Sequence, residues 1–425
     1  MEFADVLADL EARRPERVKP SLDRIRALTD LLDDPQHRYR TVHVAGTNGK
    51  TTTARLIGRI LCAHGATAGV YTSPHLTSVT ERLALCDQPI WGDEMAAVYT
   101  HLKPYLDEVA RRGDPPSYFE TLTALAFLWM ADKPVEIGVF EVGMGGTWDA
   151  TNLVRGEVAA ICRIGLDHAE LGSTVEEVAA EKAGVIKEGA TVVVEEQPED
   201  ALRVIEARAA EVGAEVRVEG DAFAVEDREL AVGGQRLAIR STGRYEDLFL
   251  PLHGPHQAHN AAVAVAAAEA VLESDLEEDV LREALAGARS PGRLEVVSSD
   301  PLVLLDGAHN PDGAEALTRA LGEGFVWRRL HLVIGVLREK DLDGILEPLA
   351  ARVDVAYACS TSNPRVRDPK DVAAACLRAG IPATEHASVV DALDAAHAVA
   401  AEDDVILVTG SLSTVGDARP RYAPA

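Results

Sequence analysis

Gly46, Thr47, Asn48, Gly49, Lys50 and Thr51 gather two glycines, an amine and a hydroxyl into one short run. Glycines let main-chain N–H groups curl around an anion, a lysine brings a mobile positive charge, and a threonine hydroxyl can reach a cation held by that anion. Such a set performs phosphate binding. Apolar residues 42–45 lead into the run, and Leu56, Ile57, Ile60 and Leu61 follow it at helical spacing. The pattern predicts strand, loop and helix in that order, with the positive end of the helix on the anion. Only Thr47 and Asn48 separate the first glycine from the Gly-Lys pair, a shorter spacer than the general phosphate-loop pattern has.

Phosphate transfer also needs oxygen ligands for magnesium. Glu141 ends the apolar run that starts at Val135, where a parallel strand turns toward a binding crevice. Gly143, Gly145 and Gly146 follow, then Thr147, Trp148, Asp149, Ala150, Thr151 and Asn152, a polar turn able to face a substrate. Asp306 follows a similar run at 302–305 but lies far down the chain. Ser73, in the turn after the second strand, offers a hydroxyl to the same cation. Asp167 and His168 follow another strand as metal or substrate groups, and Lys182 lies on a helix. His253, His256 and His259 have a spacing that suggests metal ligands, but Gly254 and Pro255 break any helix that would align them.

These groups need a scaffold, and the pattern around them supplies one. Short β-rich runs at 42–45, 69–71, 135–142, 158–164 and 191–194 alternate with helical patterns, the signature of a mostly parallel sheet with covering helices. Residues 215–250 change to short alternating segments around Gly233 and Gly234, as in a small antiparallel subdomain. Helical patterns at 257–272 and 276–286 precede Gly287, Ser290, Pro291 and Gly292, the best domain boundary. Strands at 294–297, 302–305, 331–334, 355–358 and 405–408 then alternate again with helices. The expectation is an α/β domain over 1–289 that contains the subdomain at 215–250, and a second α/β domain over 290–425.

A chain of 425 residues with 47% hydrophobic and 26% charged residues suits a globular protein of two or three domains. Its net charge of -27 repels nucleic acid and anionic membrane surfaces. Cys62, Cys86, Cys162, Cys359 and Cys376 are odd in number and form no CxxC pair, which favours free thiols in a reducing compartment. The acidic start, with Glu2, Asp5 and Asp9, is unlike a leader, and no apolar run reaches about 18 residues. The expected location is the cytoplasm.

Taken together the segments resemble the Mur ligase superfamily and, within it, the dihydrofolate synthase/folylpolyglutamate synthase family. The resemblance rests on GTNGKTT at 46–52, TSPHL at 72–76, YFE at 118–120, EVGMGG at 141–146, DATN at 149–152, LDH at 166–168 and EKAG at 181–184. It continues with HQ at 256–257, Asn260, PGR at 291–293, DGAHNP at 306–311 and TGS at 409–411. The shortened loop is that superfamily's version. Thr147 and Trp148 stand where many relatives have Arg and Leu, the loop after His168 is one residue short, and 338–341 match the C-terminal DKD segment only loosely.

The resemblance implies an N-terminal P-loop Mur-ligase-like domain with a small antiparallel β subdomain and a C-terminal Rossmann-like α/β ligase domain. It implies an ATP-dependent ligase that activates a carboxylate as an acyl phosphate, then lets the amino group of L-glutamate displace phosphate. The acceptor is dihydropteroate, a reduced folate, or both. Gly46, Thr47, Asn48, Gly49, Lys50 and Thr51 would hold the triphosphate, with Asn260, Arg293, Asp306 and His309 as further nucleotide contacts. Thr51, Ser73 and Glu141 would serve one magnesium ion. His168 would serve a second, helped by Lys182, which the family carries as a carbamate; Lys50, Lys182 and His168 are thus the catalytic expectations. Ser117, Tyr118, Phe119, Glu120, Trp148, Asp149 and Ala150 would meet the pterin end, with 20–25 a weaker candidate for that pocket. Family members are usually monomeric.

Three rival readings remain at this point. Another Mur-type ligase, acting on a UDP-linked cell-wall precursor, shares the chemistry, but YFE and DGAHNP favour the folate branch. A P-loop switch or motor should carry a base-reading NKxD, which the sequence lacks. A binding module without catalysis would not need the set of metal-site candidates.

Overall fold

The computed structural model describes residues 1–14, 19–167 and 169–422. His168, one of the expected metal ligands, lies outside the described residues. The strands, in chain order, are β1 Arg40–Ala45, β2 Ala68–Tyr71, β3 Leu83–Leu85, β4 Gln88–Pro89, β5 Ile137–Glu141 and β6 Val158–Ile161. They continue with β7 Thr191–Val194, β8 Glu215–Val218, β9 Ala224–Ala231, β10 Gly234–Arg240 and β11 Arg244–Leu250. The last are β12 Glu295–Ser299, β13 Leu302–Leu305, β14 Leu330–Ile334, β15 Val355–Cys359, β16 Ala383–His386 and β17 Val405–Thr409.

Among the described residues the first compact unit, Met1–Glu229 with Arg236–Leu250 and Ala258–Ala288, holds an eight-stranded sheet in the order β4-β3-β2-β5-β1-β6-β7-β8. From β2 to β8 the pairs are parallel, while β3 and β4 add an antiparallel edge. β8 pairs in register with β7, Val194 opposite Val218. Residues 215–218 therefore close this sheet, and the separate three-stranded sheet, β11-β10-β9, begins at Ala224.

β1 sits between β5 and β6, with Val44 opposite Glu141 and Ala45 opposite Ile161. Because parallel strands all end at the same edge, the loop after β1, the turn after β5 and the segment after β6 become neighbours there. Side chains alternate across the sheet. Ala159, Ile161, Val192 and Val194 pack on one face under the helix Val175–Ala183. On another face Tyr71 and Phe140 meet the helices Gly92–Arg112 and Tyr118–Ala131. Phe127 and Phe140 lie 5.2 Å apart in a tilted pair, an arrangement worth about 0.5–1.5 kcal/mol beyond its buried area.

The second unit, Leu230–Gln235, Pro251–Gln257 and Arg289–Ala425, holds a six-stranded sheet in the order β12-β13-β17-β14-β15-β16. Here β12 is antiparallel and the other pairs are parallel, with β17 between β13 and β14. The α/β class read from the alternation is what the chain adopts. The β3–β4 hairpin and β16 are additions to that reading, since short edge strands carry too little alternation to be recognised.

The expectation of five free thiols is corrected. Cys62 and Cys86 form a disulfide with Cα atoms 5.6 Å apart, while Cys162, Cys359 and Cys376 are free and buried. Cys62 lies near the end of the helix Lys50–Ala63 and Cys86 in the β3–β4 turn at φ 44°. A hairpin unmarked in the sequence brings the two together, so their separation of 24 residues gave no hint. Among the described residues no helix is long and apolar enough to cross a membrane. Closing a loop of this length constrains the unfolded chain by about 3 kcal/mol. Protein prepared without reductant and then denatured should therefore titrate three thiols, Cys162, Cys359 and Cys376, and five after reduction. Five before reduction would contradict the pairing.

Candidate active site

The loop after β1 is shaped by two left-handed glycines. Gly46 has φ +145°, and a Cβ there would lie 2.7 Å from Cys162 Cβ; Gly49 has φ +87°, and a Cβ there would lie 2.3 Å from Asn260 Oδ1. Neither position admits a side chain without displacement. Gly49 then caps the helix Lys50–Ala63, which leaves the first N–H groups of that helix pointed at the loop. From the other side the segment after β6 supports the loop. Thr47 N–H donates to Arg163 O at 3.0 Å, Asn48 N–H to the same oxygen at 3.5 Å, and Thr47 Oγ1 exchanges bonds with the main chain of Gly165.

Two lysines meet at the start of this loop. Lys50 Nζ donates to Gly46 O at 2.9 Å and Thr47 O at 3.0 Å, and Lys182 Nζ donates to Gly46 O at 2.7 Å. Lys182 is buried. Burial, and then the neighbouring Lys50 ammonium, lower its amine to about 7. Lys182 is held in place by the turn after β5. Thr147 N–H and Oγ1 both donate to Glu181 O at 3.1 Å, and a Cβ on Gly146 would lie 2.6 Å from that oxygen.

Glu141 is buried at the end of β5. One carboxylate oxygen takes the Thr51 hydroxyl at 2.7 Å and the other takes Ser73 N–H at 2.9 Å. The loop, the second-strand turn and the β5 carboxylate are thus one hydrogen-bonded cluster. Among the described residues no group of three or more His, Cys, Asp or Glu could hold a metal. One carboxylate beside hydroxyls is instead the kind of partial oxygen set that suits magnesium, which keeps waters and takes phosphate oxygens from its substrate. The three histidines of the second half diverge. His259 pairs with Glu219 at 2.6 Å, and His253 packs against the Phe325 ring.

Several residues expected to face a substrate are committed to the scaffold. Asp149 is buried, and its oxygens take Met144 N–H, Thr151 N–H and the Thr151 hydroxyl at 2.9, 2.9 and 2.5 Å. Burial raises its carboxyl, and these bonds oppose the shift. Thr151 in turn takes Nε2 of buried His43 at 2.8 Å, whose ring burial and the Lys187 charge hold at about 3. Ser117 and Glu120 form a capping box on the helix Tyr118–Ala131, and the Glu120 carboxylate also takes Arg24 Nε at 3.0 Å. Arg24 comes from 20–25, while Ile25 of that stretch is core.

Tyr118 lies under the Arg14 guanidinium, 4.2 Å from its ring centroid, with Arg82 at 5.5 Å. Phe119 presses on Gly143, whose Cβ would sit 2.5 Å from Cζ. Trp148 is partly buried against the core under the helix Val175–Ala183, and Ala150 is buried. The sequence reading missed Arg14, Arg82 and the main chain of Arg163; nothing in their spacing singles them out. Asn260, on the helix Pro255–Leu272, takes the Thr53 hydroxyl at 3.3 Å and adjoins Gly49.

In the second unit three motifs converge. The Asp306 carboxylate takes the N–H groups of Leu294 and Ala308, both at 2.8 Å, and Gly307 lies so close to Arg293 that a Cβ would be 2.4 Å from Nη1. Burial raises the Asp306 carboxyl and the Arg293 charge opposes it. His309 Nδ1 lies 2.8 Å from Gly307 O, and Gly410 N–H donates to Ala308 O at 3.1 Å. Asn310 caps the helix Pro311–Gly324.

Comparison with known proteins shows the family and the fold. The Mur ligase middle domain matches residues 44–268, and the Mur ligase glutamate ligase domain matches 292–412. A dihydrofolate synthase/folylpolyglutamate synthase of Mycobacterium tuberculosis is 41% identical over 97% of this chain and 92% of its own length. The M. tuberculosis folylpolyglutamate synthase complexed with ADP superposes with TM-score 0.96 at 39% identity, covering 100% of this chain and 98% of that one. Escherichia coli FolC in complex with DHPP and ADP gives TM-score 0.89 at 32% identity, covering 99% and 97%. None of these relatives supports the cell-wall alternative.

The crowding at Gly49 is directly measurable. Gly65 has a similar φ of +89° with nothing within 4 Å. Gly65→Ala should lose about 1 kcal/mol in urea unfolding, the cost of the left-handed backbone. Gly49→Ala should lose at least about 1 kcal/mol more through overpacking against Asn260. Equal losses would show that Asn260 yields.

Proposed function

The chain belongs to the dihydrofolate synthase/folylpolyglutamate synthase family of Mur ligases, and from that premise we propose that it joins L-glutamate to dihydropteroate, a reduced folate, or both, at the expense of ATP. The observation that carries this reading is the cluster at one sheet edge: the 46–51 loop, buried Glu141 on Thr51 and Ser73, and Lys182 on the carbonyl of Gly46.

The γ-phosphoryl group passes to the substrate carboxylate, giving an acyl phosphate and ADP. The glutamate amine then attacks the acyl carbon, phosphate leaves, and the amine loses a proton to give the amide. Both steps bring anions together, so they depend on positioning and charge neutralisation. In this chain the N–H groups at the start of the helix Lys50–Ala63 and the Lys50 ammonium would receive the triphosphate. Lys50 is close at hand on the Gly46 and Thr47 carbonyls. Asn260 beside Gly49, with Arg293, Asp306 and His309, would make the remaining nucleotide contacts, the last three by family resemblance alone.

Thr51, Ser73 and Glu141 would hold magnesium, whose charge would neutralise phosphate oxygens. His168 and Lys182 are proposed for a second ion. An ammonium cannot ligate a cation, but an amine lowered to about 7 is substantially neutral at physiological pH. The neutral form is the one that takes up carbon dioxide to become a carbamate. The environment of Lys182 therefore fits that modification. Tyr118 with its flanking guanidiniums, Phe119 and Trp148 are the proposed acceptor contacts; Ser117, Glu120, Asp149 and Ala150 would shape the pocket from behind. A cytoplasmic location, which rests on the family now that Cys62 and Cys86 are paired, and a monomeric state complete the proposal.

Incubation with ATP, magnesium and L-glutamate, together with dihydropteroate or tetrahydrofolate, should yield ADP and a conjugate heavier by one glutamyl residue; EDTA should stop it. No product from either acceptor would end the folate reading. Lys182→Ala should reduce turnover by about 100-fold or more, with partial recovery in added short carboxylic acids. An unaltered rate in that variant would remove Lys182 from catalysis.

A further inference from the structure

β6 ends at Ile161 and β7 at Val194, yet the pairing between them does not stop there. Glu195 N–H donates to Ile161 O at 2.9 Å. Beyond that point side chains replace the main chain. Arg163 N–H donates to a Glu195 carboxylate oxygen at 2.8 Å. Gln197 spans the next pair, its Nε2 donating to Cys162 O at 3.1 Å and its Oε1 accepting Ile164 N–H at 2.9 Å. One primary amide thus offers the donor and acceptor that a further strand residue would have offered. Arg163 Nη1 returns a bond to Glu196 O at 3.0 Å.

The opposite side of the 162–165 segment carries the phosphate loop. Arg163 O takes the N–H groups of Thr47 and Asn48, and Gly165 is bonded through both main-chain groups to Thr47 Oγ1. The segment is therefore held between two partners, the loop on one side and Glu195 with Gln197 on the other. Without the second partner the N–H of Arg163 would lose its acceptor within the protein, and the segment would be free to shift the carbonyl that fixes Thr47. Glu195 is buried, and burial, reinforced by the nearby Glu219 carboxylate, raises its carboxyl to about 7. Either protonation state retains an oxygen for Arg163 N–H.

We propose that Gln197 and Glu195 are positioning residues for nucleotide binding: their side chains prolong the β6–β7 pairing past the strand ends and so fix the Arg163 carbonyl on which the phosphate loop is hung. The proposal rests on the reading of that loop as the ATP site. It predicts a larger effect on nucleotide than on the acceptor, because 162–165 is hydrogen-bonded directly to the loop.

The experiment measures ADP affinity by titration calorimetry and steady-state constants for ATP and the folate acceptor, on folded protein confirmed by its melting transition. Gln197→Leu removes two hydrogen bonds from a partly exposed position and should weaken ADP and raise KM for ATP about 10-fold. Its kcat and its KM for the acceptor should stay within about twofold. Glu195→Leu should behave alike, while Glu195→Gln, which keeps an oxygen for Arg163 N–H, should restore ADP affinity to within about twofold of the parent. Glu196→Gln, at the exposed position between them, is the control and should match the parent. Unaltered ADP affinity in Gln197→Leu overturns the positioning role, as does a parallel change in both substrates' KM. Failure of the unsubstituted protein to bind ADP overturns the nucleotide reading itself and this inference with it.

Discussion

The carbonyl oxygen of Gly46 is the point on which the active edge depends. It accepts from Lys50 and from Lys182 at once, so two amines that would repel each other as ammonium ions are held together at the entrance of the loop. Burial penalises a second positive charge there, and Lys182 responds by losing its proton readily, at about 7. Lys50, less enclosed, is the residue proposed to meet an incoming phosphate. The two lysines are thereby differentiated by position and not by type. The conformation of Gly46 explains why the residue is a glycine. At φ +145°, with an added Cβ only 2.7 Å from Cys162 Cβ, the loop turns at a position that only glycine fits.

The sheet order places everything else around that oxygen. With β1 between β5 and β6, the ends of three adjacent strands deliver the loop, the Glu141 carboxylate and the Arg163 main chain to one line. β2 adds Ser73 from beyond β5, and β7 adds Glu195 and Gln197 from beyond β6. The helix Val175–Ala183 brings Lys182 in from the face of the sheet, fixed by the hydrogen bonds of Thr147 to Glu181. No single element builds the site, and most of its polar groups are satisfied by neighbours before any ligand arrives. Such preorganisation is what electrostatic catalysis of group transfer requires.

Much of this was legible in the sequence because the signals are local. Glycines at 46 and 49 mark left-handed positions between a strand and a helix, and Glu141 terminates an apolar run, so the loop and its carboxylate could be read directly. What could not be read is which polar residues look outward. Ser117 and Glu120 carry the signature of a capping box, and Asp149 stands two residues before the threonine whose N–H it accepts; both satisfy the local backbone. Long-range partners were equally hidden. The disulfide between Cys62 and Cys86 depends on a hairpin with no turn signature, and Gln197 reads as an ordinary residue after a strand. In the second unit the motifs at 306–311 and 409–411 are far apart in the sequence, and the pairing of β13 with β17 is what brings Asp306 to Val408 and Ala308 to Gly410.

A crystal structure with a non-hydrolysable ATP analogue and magnesium tests the central claim, that the loop is built in advance and Lys50 waits on its carbonyls for a phosphate. The account predicts phosphate oxygens on the N–H groups at the start of the helix Lys50–Ala63, with Lys50 Nζ moved from Gly46 O and Thr47 O onto the phosphate and the bond of Thr47 N–H to Arg163 O unchanged. A triphosphate bound elsewhere, or bound here with Lys50 still on those two carbonyls, would contradict it.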